Sequence, residues 1–368
     1  MPAPSLLPLL STLTTLRLGG LPRSYVEATT DAEVVQALTS VAGSSSSPEP
    51  VLVLGGGSNL VVADSGFPGR VVRMATRGVS FEDRGAKTLV TAAAGEPWDE
   101  LVAACVARGL RGFECLSGIP GSVGAVPLQN VGAYGQEVSD TLVSVRAFDR
   151  SKACEVHVPT VDCAFGYRTS AFRGRSDRVV LGVTFELEKG AVATIPDYAE
   201  LRRALGADAS TLVPLRLVRE TVLALRRSKG MVLDVADADS ASAGSFFTNP
   251  ILSDEAVSML KATVHAVCGP GVSPPLFPDA ASGRTKSSAA WLIERAGFAR
   301  GYGEGRAGLS SKHTLALVNR GGASTREVLA VAKEVRDGVR HTFGVTLEPE
   351  PVFVGFAQSS GSAVLDAL

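Results

Sequence analysis

Two glycine clusters constrain this chain more than any other feature. In the first, the apolar run Val51 to Leu54 leads straight into Gly55, Gly56, Gly57, Ser58, Asn59 and Leu60. Successive glycines let backbone N–H groups converge on an anion with no side chain in the way. A dinucleotide-binding βαβ unit needs a helix directly after its glycines. Here Val61 and Val62 are followed by Ser65, Gly66, Pro68 and Gly69, which stop any helix before two turns form. No P-loop lysine follows either, so both standard nucleotide loops are excluded, and on its own the cluster reads equally well as a tight structural turn. The second cluster shifts that balance. Gly118-Ile119-Pro120-Gly121-Ser122-Val123-Gly124 is followed by Asn130, Gly132, Ala133, Tyr134 and Gly135. Two such loops suggest a long anionic ligand threaded between backbones, which is the shape of a pyrophosphate-containing dinucleotide.

The rest of the sequence narrows the setting. A chain of 368 residues exceeds what one core comfortably serves, so two domains, or one large domain with an insertion, are expected. Its net charge of −1 provides no global field for nucleic acid or anionic lipid, so any anion must be met locally. Five cysteines without a CxxC pair give neither a disulfide framework nor a zinc site, and the four histidines show no metal-ligand spacing. The opening MPAPSLLPLLSTL lacks a basic region and carries three early prolines, which argues against a signal peptide, and no apolar run is long enough to span a membrane. A reducing cytoplasm is the expected compartment.

Periodicity predicts helices over Asp31 to Val41, capped by Asp31, and over Glu96 to Arg108, with the loop GSSSSPEP after the first. Strands are expected at Val51 to Leu54, Leu142 to Val145, Cys154 to Val158 and Val179 to Leu187. Further helices are expected over Leu215 to Arg227, Ser287 to Ala296 and Thr325 to Phe343, the last opened by a Ser324/Glu327 capping box. The texture changes between residues 190 and 225, where a domain boundary is the simplest reading.

Six segments in order, LVLGGGSNL, LSGIPGSVGAVPLQNVGAYGQEV, FGYRTSAF, GSFFTNP, AAWLIERAGF and LEPE, carry a specific resemblance. The chain closely resembles the UDP-N-acetylenolpyruvoylglucosamine reductase (MurB) family over residues 13–355. The resemblance implies an α+β architecture: an FAD-binding domain of the vanillyl-alcohol-oxidase (PCMH) type over residues 13–190, built of two α+β subdomains at about 13–75 and 76–190. A connecting segment, 191–224, and a smaller α+β substrate-binding domain, 225–368, would follow. It implies non-covalent FAD, NADPH as hydride donor, and reduction of an enolpyruvyl ether to UDP-N-acetylmuramate by a cytoplasmic monomer that meets neither nucleic acid nor membrane. The flavin would lie against Gly55, Gly56, Gly57, Ser58, Asn59, Leu60, Gly118, Ile119, Pro120, Gly121, Ser122, Gly124, Asn130, Gly132, Ala133 and Tyr134.

The chemistry of such a reduction sets its own demands. Hydride added to the terminal carbon pushes charge onto the carboxylate as an enediolate, which must be stabilised, and the α-carbon must then receive a proton. By resemblance, Arg168 in FGYRTSAF contacts the carboxylate, a task its charged fork suits. Ser245 in GSFFTNP matches the proton donor, and Glu350 in LEPEP matches the glutamate that assists it. From residue type alone, these three read as a surface ion pair, a turn or cap serine and a solvated strand-entry acid. Tyr167, Tyr198, Lys229 and Asn249 match substrate-binding positions. Val352 stands where the family frequently has an arginine, and Thr248 where a lysine is common. Another flavin-dependent oxidoreductase of the same fold would keep the glycine clusters without needing Arg168, Ser245 and Glu350 together. A non-catalytic nucleotide-sugar or flavin binder would bind without turnover.

Overall fold

The computed structural model describes residues 7–40, 49–279, 282–358 and 360–368. The chain forms two compact units. One, the glycine-loop unit, comprises Arg23–Gly56 and Gly69–Ser228; the other, the C-terminal unit, comprises Met1–Pro22, Gly57–Pro68 and Lys229–Leu368. The backbone therefore passes from one unit to the other inside the first glycine cluster, between Gly56 and Gly57. Among the described residues no helix is long and apolar enough to cross a membrane.

The glycine-loop unit holds two sheets. A three-stranded sheet has Phe67–Met74 between Pro22–Ala28 and Val51–Leu54, the last pair running parallel. A larger, antiparallel sheet is ordered Cys154–Pro159, Leu142–Asp149, Arg178–Lys189, Lys87–Ala93 and Val79–Arg84, with the short Leu110–Arg111 joining Arg178–Lys189. Its long strand, RVVLGVTFELEK, is rich in β-branched and aromatic residues and is buried along much of its length. Helices α1 (Asp31–Thr39), α2 (Trp98–Ala107), α3 (Ala199–Leu205) and α4 (Leu215–Arg227) belong to this unit.

The strand Val51–Leu54 and helix α4 have the expected bounds, whereas the strands beginning at Leu142 and Arg178 run further than their apolar runs. Helix α1 starts differently from expectation. Thr30, not Asp31, is its cap: the Thr30 hydroxyl accepts from the Glu33 amide while Glu33 reaches back, leaving Asp31 in the first turn to pair with Arg146 at 2.6 Å. Two candidate oxygens stood side by side, and the reciprocal bond from Glu33 selected the earlier one. Val41 and most of GSSSSPEP lie outside the described residues. Helix α2 begins at Trp98, since Pro97 is its cap.

Trp98 is fully buried, with ring centroids 5.2 Å from Phe113 and 5.9 Å from Phe185. Its indole N–H donates to the Leu116 carbonyl at 3.1 Å. Truncating a residue packed this way costs about 3–5 kcal/mol. The trio anchors the start of α2 and, through Leu116, the approach to the second glycine cluster.

The C-terminal unit is built around helix α7 (Thr325–Phe343), whose buried stripe includes Val328, Leu329, Ala332, Val335 and Val339. Helices α5 (Asp254–Cys268) and α6 (Ala289–Arg295) pack against it, as does α8 (Gly361–Asp366). The expected Ser324/Glu327 box is present, and Ser288 caps α6. Asp64 accepts from the Thr325 amide at 2.7 Å, placing a carboxylate at the α7 N-terminus. The strand Leu60–Val62 pairs in parallel with Val352–Val354, which joins the segment after the first glycine cluster to the chain's last strand.

Candidate functional site

The sequence suggested that the two glycine clusters work together, and in the glycine-loop unit they touch. A Cβ placed on Gly56 would lie 2.5 Å from the Gly121 Cα, and one on Gly55 would collide with the Ser122 hydroxyl. A Cβ on Gly124 would sit 2.6 Å from that of Ala94. Only glycine permits approaches this close. The second loop is braced along its length by the start of α2: the Trp98 amide donates to Gly121 O at 3.1 Å and the Val123 amide to Glu96 O at 2.8 Å. The Gly118 amide donates to the Asp99 carboxylate at 2.6 Å.

Among the described residues no protein group accepts from the amides of Ile119, Gly121 or Ser122. A run of glycine-lined backbone with unspent N–H groups is a fitting cradle for a diphosphate. Of the first cluster, Gly57 to Leu60 belong to the C-terminal unit, where a Cβ on Gly57 would strike the Leu13 carbonyl.

Beyond Gly124 the loop is held by side chains. Asn130, only 1% exposed, adopts a left-handed φ of 43°. Its Nδ2 donates to Glu137 at 2.7 Å, and its Oδ1 accepts from the Ser139 amide at 3.0 Å. Asn130 thus spends its amide inside the fold. Gly132 and Ala133 form a two-residue ladder with Glu137 and Gln136, and Gln136 in turn bonds the buried Glu114 at 2.9 Å. Tyr134 has φ 50° and packs edge-on against Tyr198 at 5.1 Å. Burial pushes both phenols above the ordinary tyrosine value. Tyr198 is 39% exposed and occupies the cap position of α3.

Arg168 lies in the same unit. Its backbone has a left-handed φ of 52°, and its Nη2 donates to the Gly132 carbonyl at 2.8 Å. The guanidinium sits 5.3 Å from the Tyr167 ring centroid. Three non-glycine residues in left-handed conformation, Asn130, Tyr134 and Arg168, therefore cluster around one backbone turn, the kind of strain that folds retain at working sites.

Ser245 and Glu350 lie in the C-terminal unit. Phe247 and Pro349 form an antiparallel bridge, with the Glu350 amide donating to Phe246 O at 2.9 Å and the Thr248 amide to Glu348 O at 3.0 Å. Ser245 is thus one residue from the backbone partner of Glu350. Its hydroxyl makes no hydrogen bond to the described protein residues and stays half-buried. Glu350 is half-buried as well, whereas Glu348 is exposed and accepts from the Ser362 hydroxyl. Asn249 accepts from the Ala289 amide at 3.0 Å, tying the GSFFTNP segment to the start of α6. Lys229 lies two residues past α4 and opens the last segment of the C-terminal unit, Lys229–Leu368. Val352, half-exposed, donates its amide to Asn59 O at 2.9 Å.

Sequence reasoning missed Asp99 and Arg219. Asp99 reads as an ordinary first-turn acid, and its arginine lies 120 residues away, so no local pattern links them.

Two sheets carrying converging glycine loops with unspent amides define the chain as a flavoprotein: residues 22–153 match an FAD binding domain. Residues 236–354 match the C-terminal domain of UDP-N-acetylenolpyruvoylglucosamine reductase. The chain is 53% identical over 350 residues to the UDP-N-acetylenolpyruvoylglucosamine reductase of Streptomyces coelicolor, covering 95% of this chain and 89% of that one. It is 51% identical over 347 residues to that of Thermobifida fusca, covering 94% and 96%. The crystal structure of MurB from Thermus caldophilus superposes with a TM-score of 0.62 at 25% identity, covering 94% of this chain and 97% of that one. The chain belongs to the UDP-N-acetylenolpyruvoylglucosamine reductase family. The expected architecture, a PCMH-type FAD-binding domain followed by a family-specific α+β domain, stands.

Proposed function

We propose that this protein reduces UDP-N-acetylglucosamine enolpyruvate to UDP-N-acetylmuramate in peptidoglycan precursor synthesis, with Arg168, Ser245 and Glu350 as its catalytic residues. Identity of about one half along nearly the whole chain carries the reading. FAD, when bound, supplies a hydride carrier between NADPH and the enolpyruvyl carbon. Gly55 and Gly56 with the loop 118–124, which touch within one unit, would hold its diphosphate through backbone amides. The flavin is held non-covalently, so acid precipitation should release it into the supernatant.

The remaining tasks fall to side chains. The Arg168 guanidinium binds the substrate carboxylate and stabilises the negative charge that accumulates there. Ser245 gives a proton to the α-carbon, and Glu350 assists by stabilising the charged species or restoring that proton. A serine hydroxyl is a weak acid, so it serves only a strongly basic carbon, which an enediolate provides. Tyr167, Tyr198, Lys229 and Asn249 bind the UDP-sugar. Residues within 13–190 hold the cofactor and residues within 225–368 take the substrate, while 191–224, expected as a connector, packs as part of the glycine-loop unit. The enzyme works as a cytoplasmic monomer, where its nucleotide sugar and NADPH are found.

The test is direct. The purified protein should be yellow, NADPH should bleach it, and UDP-N-acetylglucosamine enolpyruvate should restore the colour. Bleaching without restoration by that substrate would point to another flavin-dependent oxidoreductase.

A further inference from the structure

Helix α4 lies outside both matched family segments, between residues 153 and 236, yet it packs against Glu114–Leu116, just before the second glycine loop. Its buried stripe is Leu215, Val218 and Val222, and Arg219 stands beside that stripe, one helical turn from Leu215. The guanidinium is 16% exposed and grips Asp99 with both Nη atoms, at 2.6 and 2.8 Å. The same Asp99 Oδ1 accepts from the Gly118 amide at 2.6 Å. Gly118 has a left-handed φ of 73° and opens the stretch whose next amides, at Ile119, Gly121 and Ser122, have no protein acceptor among the described residues.

We propose that Arg219 is a positioning residue for the flavin: by fixing the Asp99 carboxylate it locks the Gly118 peptide, and so aims the following amides at the FAD diphosphate. The inference rests on the assignment of residues 118–122 to flavin binding made above. An arginine suits the role because its fork fills both carboxylate oxygens and fixes the carboxylate plane, leaving one lone pair directed at the peptide N–H. Burial works to raise the Asp99 carboxyl, but the Arg219 bonds and the Gly118 amide outweigh it and hold the group below the ordinary aspartate value. Asp99 is therefore a charged acceptor, the stronger kind.

A bare ion pair between α2 and α4 would show the same two short distances, and the third partner separates the two roles. FAD release from the holoenzyme after dilution, followed by flavin fluorescence, measures the positioning function; the melting temperature measures the pair. Arg219→Met and Asp99→Leu should each release FAD about tenfold faster or more, the scale of a lost hydrogen bond to a charged group. Asp99→Asn keeps an acceptor for Gly118 and should lose less. The double swap Asp99→Arg with Arg219→Asp should recover the melting temperature lost in the single variants but not FAD retention, since it sets a donor against the Gly118 amide. If the swap restored FAD retention as well, or if Arg219→Met held FAD like the unaltered enzyme, the positioning role would be overturned. Gly121→Ala, measured alongside, separates this inference from the reading beneath it. Unchanged FAD retention in Gly121→Ala would instead remove residues 118–122 from the flavin site. Should the leucine and methionine variants not fold, Asp99→Asn and the swap carry the decision.

Discussion

The glycine-loop unit and the C-terminal unit hold their working parts by opposite means. In the first, the critical approaches exclude a side chain: Gly56 lies backbone on backbone against Gly121, and a Cβ on Gly55 would strike the Ser122 hydroxyl. In the second, Ser245 presents a hydroxyl with no hydrogen bond to the described protein residues, beside a short bridge that carries Glu350. The contrast fits the two tasks proposed for these residues. A diphosphate is best met by fixed amides, whose dipoles cost nothing to reorganise. A proton donor needs a side chain free to give its proton away. The first site is therefore specified by what is missing from the side chains, the second by what they carry.

The most damaging way to break the first arrangement is Gly56→Ala. The added carbon would meet the Gly121 backbone, which cannot swing aside as a flexible side chain could. Overpacking of this kind costs about 1–3 kcal/mol, and the variant should purify without yellow colour; a normally flavinated Gly56→Ala protein would refute the cradle. Breaking the second arrangement should leave the first intact. Ser245→Ala should keep its flavin and bleach with NADPH at near-normal speed, while reoxidation by the enolpyruvyl substrate slows by roughly 10²-fold or more. Glu350→Gln should show the same separation in stopped flow, and Glu348→Gln should change little. Equal slowing of both half-reactions in Ser245→Ala would mean that the residue shapes the flavin pocket.

A smaller effect sharpens the comparison through pH. Helix α7 is started by a titratable group: Glu327 accepts from the Ser324 backbone and hydroxyl and from Arg306, which lowers its carboxyl from 4.5 to about 2. A depressed acid contributes stability above its unfolded value and loses it as pH falls through the folded one. The melting temperature should therefore fall more between about pH 5 and about pH 3 in the unaltered protein than in Glu327→Gln. Parallel curves would show that the carboxylate does not hold the helix start.

The smallest effect concerns thiols. Burial pushes Cys105 up to about 12 and Cys163 to about 11, and raises Cys115 further. All three line the glycine-loop unit's cores, whereas Cys154 is exposed and Cys268 is half-exposed. Alkylation of the native protein at mildly alkaline pH, read by peptide mass mapping, should mark Cys154 first and Cys268 more slowly. Cys105, Cys115 and Cys163 should react only on unfolding. Early labelling of Cys105 would mean that the core beneath α2 opens readily.

Much of this molecule was legible in sequence because the signals were local. The stripe of α7, its Ser324/Glu327 box, the run VLVL and the absence of a helix after Gly57 depend on residues a few positions apart, and all appear where periodicity and turn chemistry place them. The family resemblance was legible for the same reason, since each motif is a contiguous word. Thr30 displacing Asp31 as a cap was nearly legible: two adjacent residues competed, and a bond from Glu33 decided between them.

What only the tertiary structure decided were relations between distant residues. That Gly56 lies on Gly121, that Asn130 turns its amide inward to Glu137, and that Arg219 closes on Asp99 across 120 positions are facts of packing. Glu348 and Glu350 share strand parity, and only the fold gives one to Ser362 at the surface and leaves the other half-buried beside the Phe246 backbone. Sequence alone specified which backbone conformations were allowed and which chemical groups were present. Close approach between segments is set by the sum of many weak contacts over the whole core, and no single stretch of sequence contains that sum.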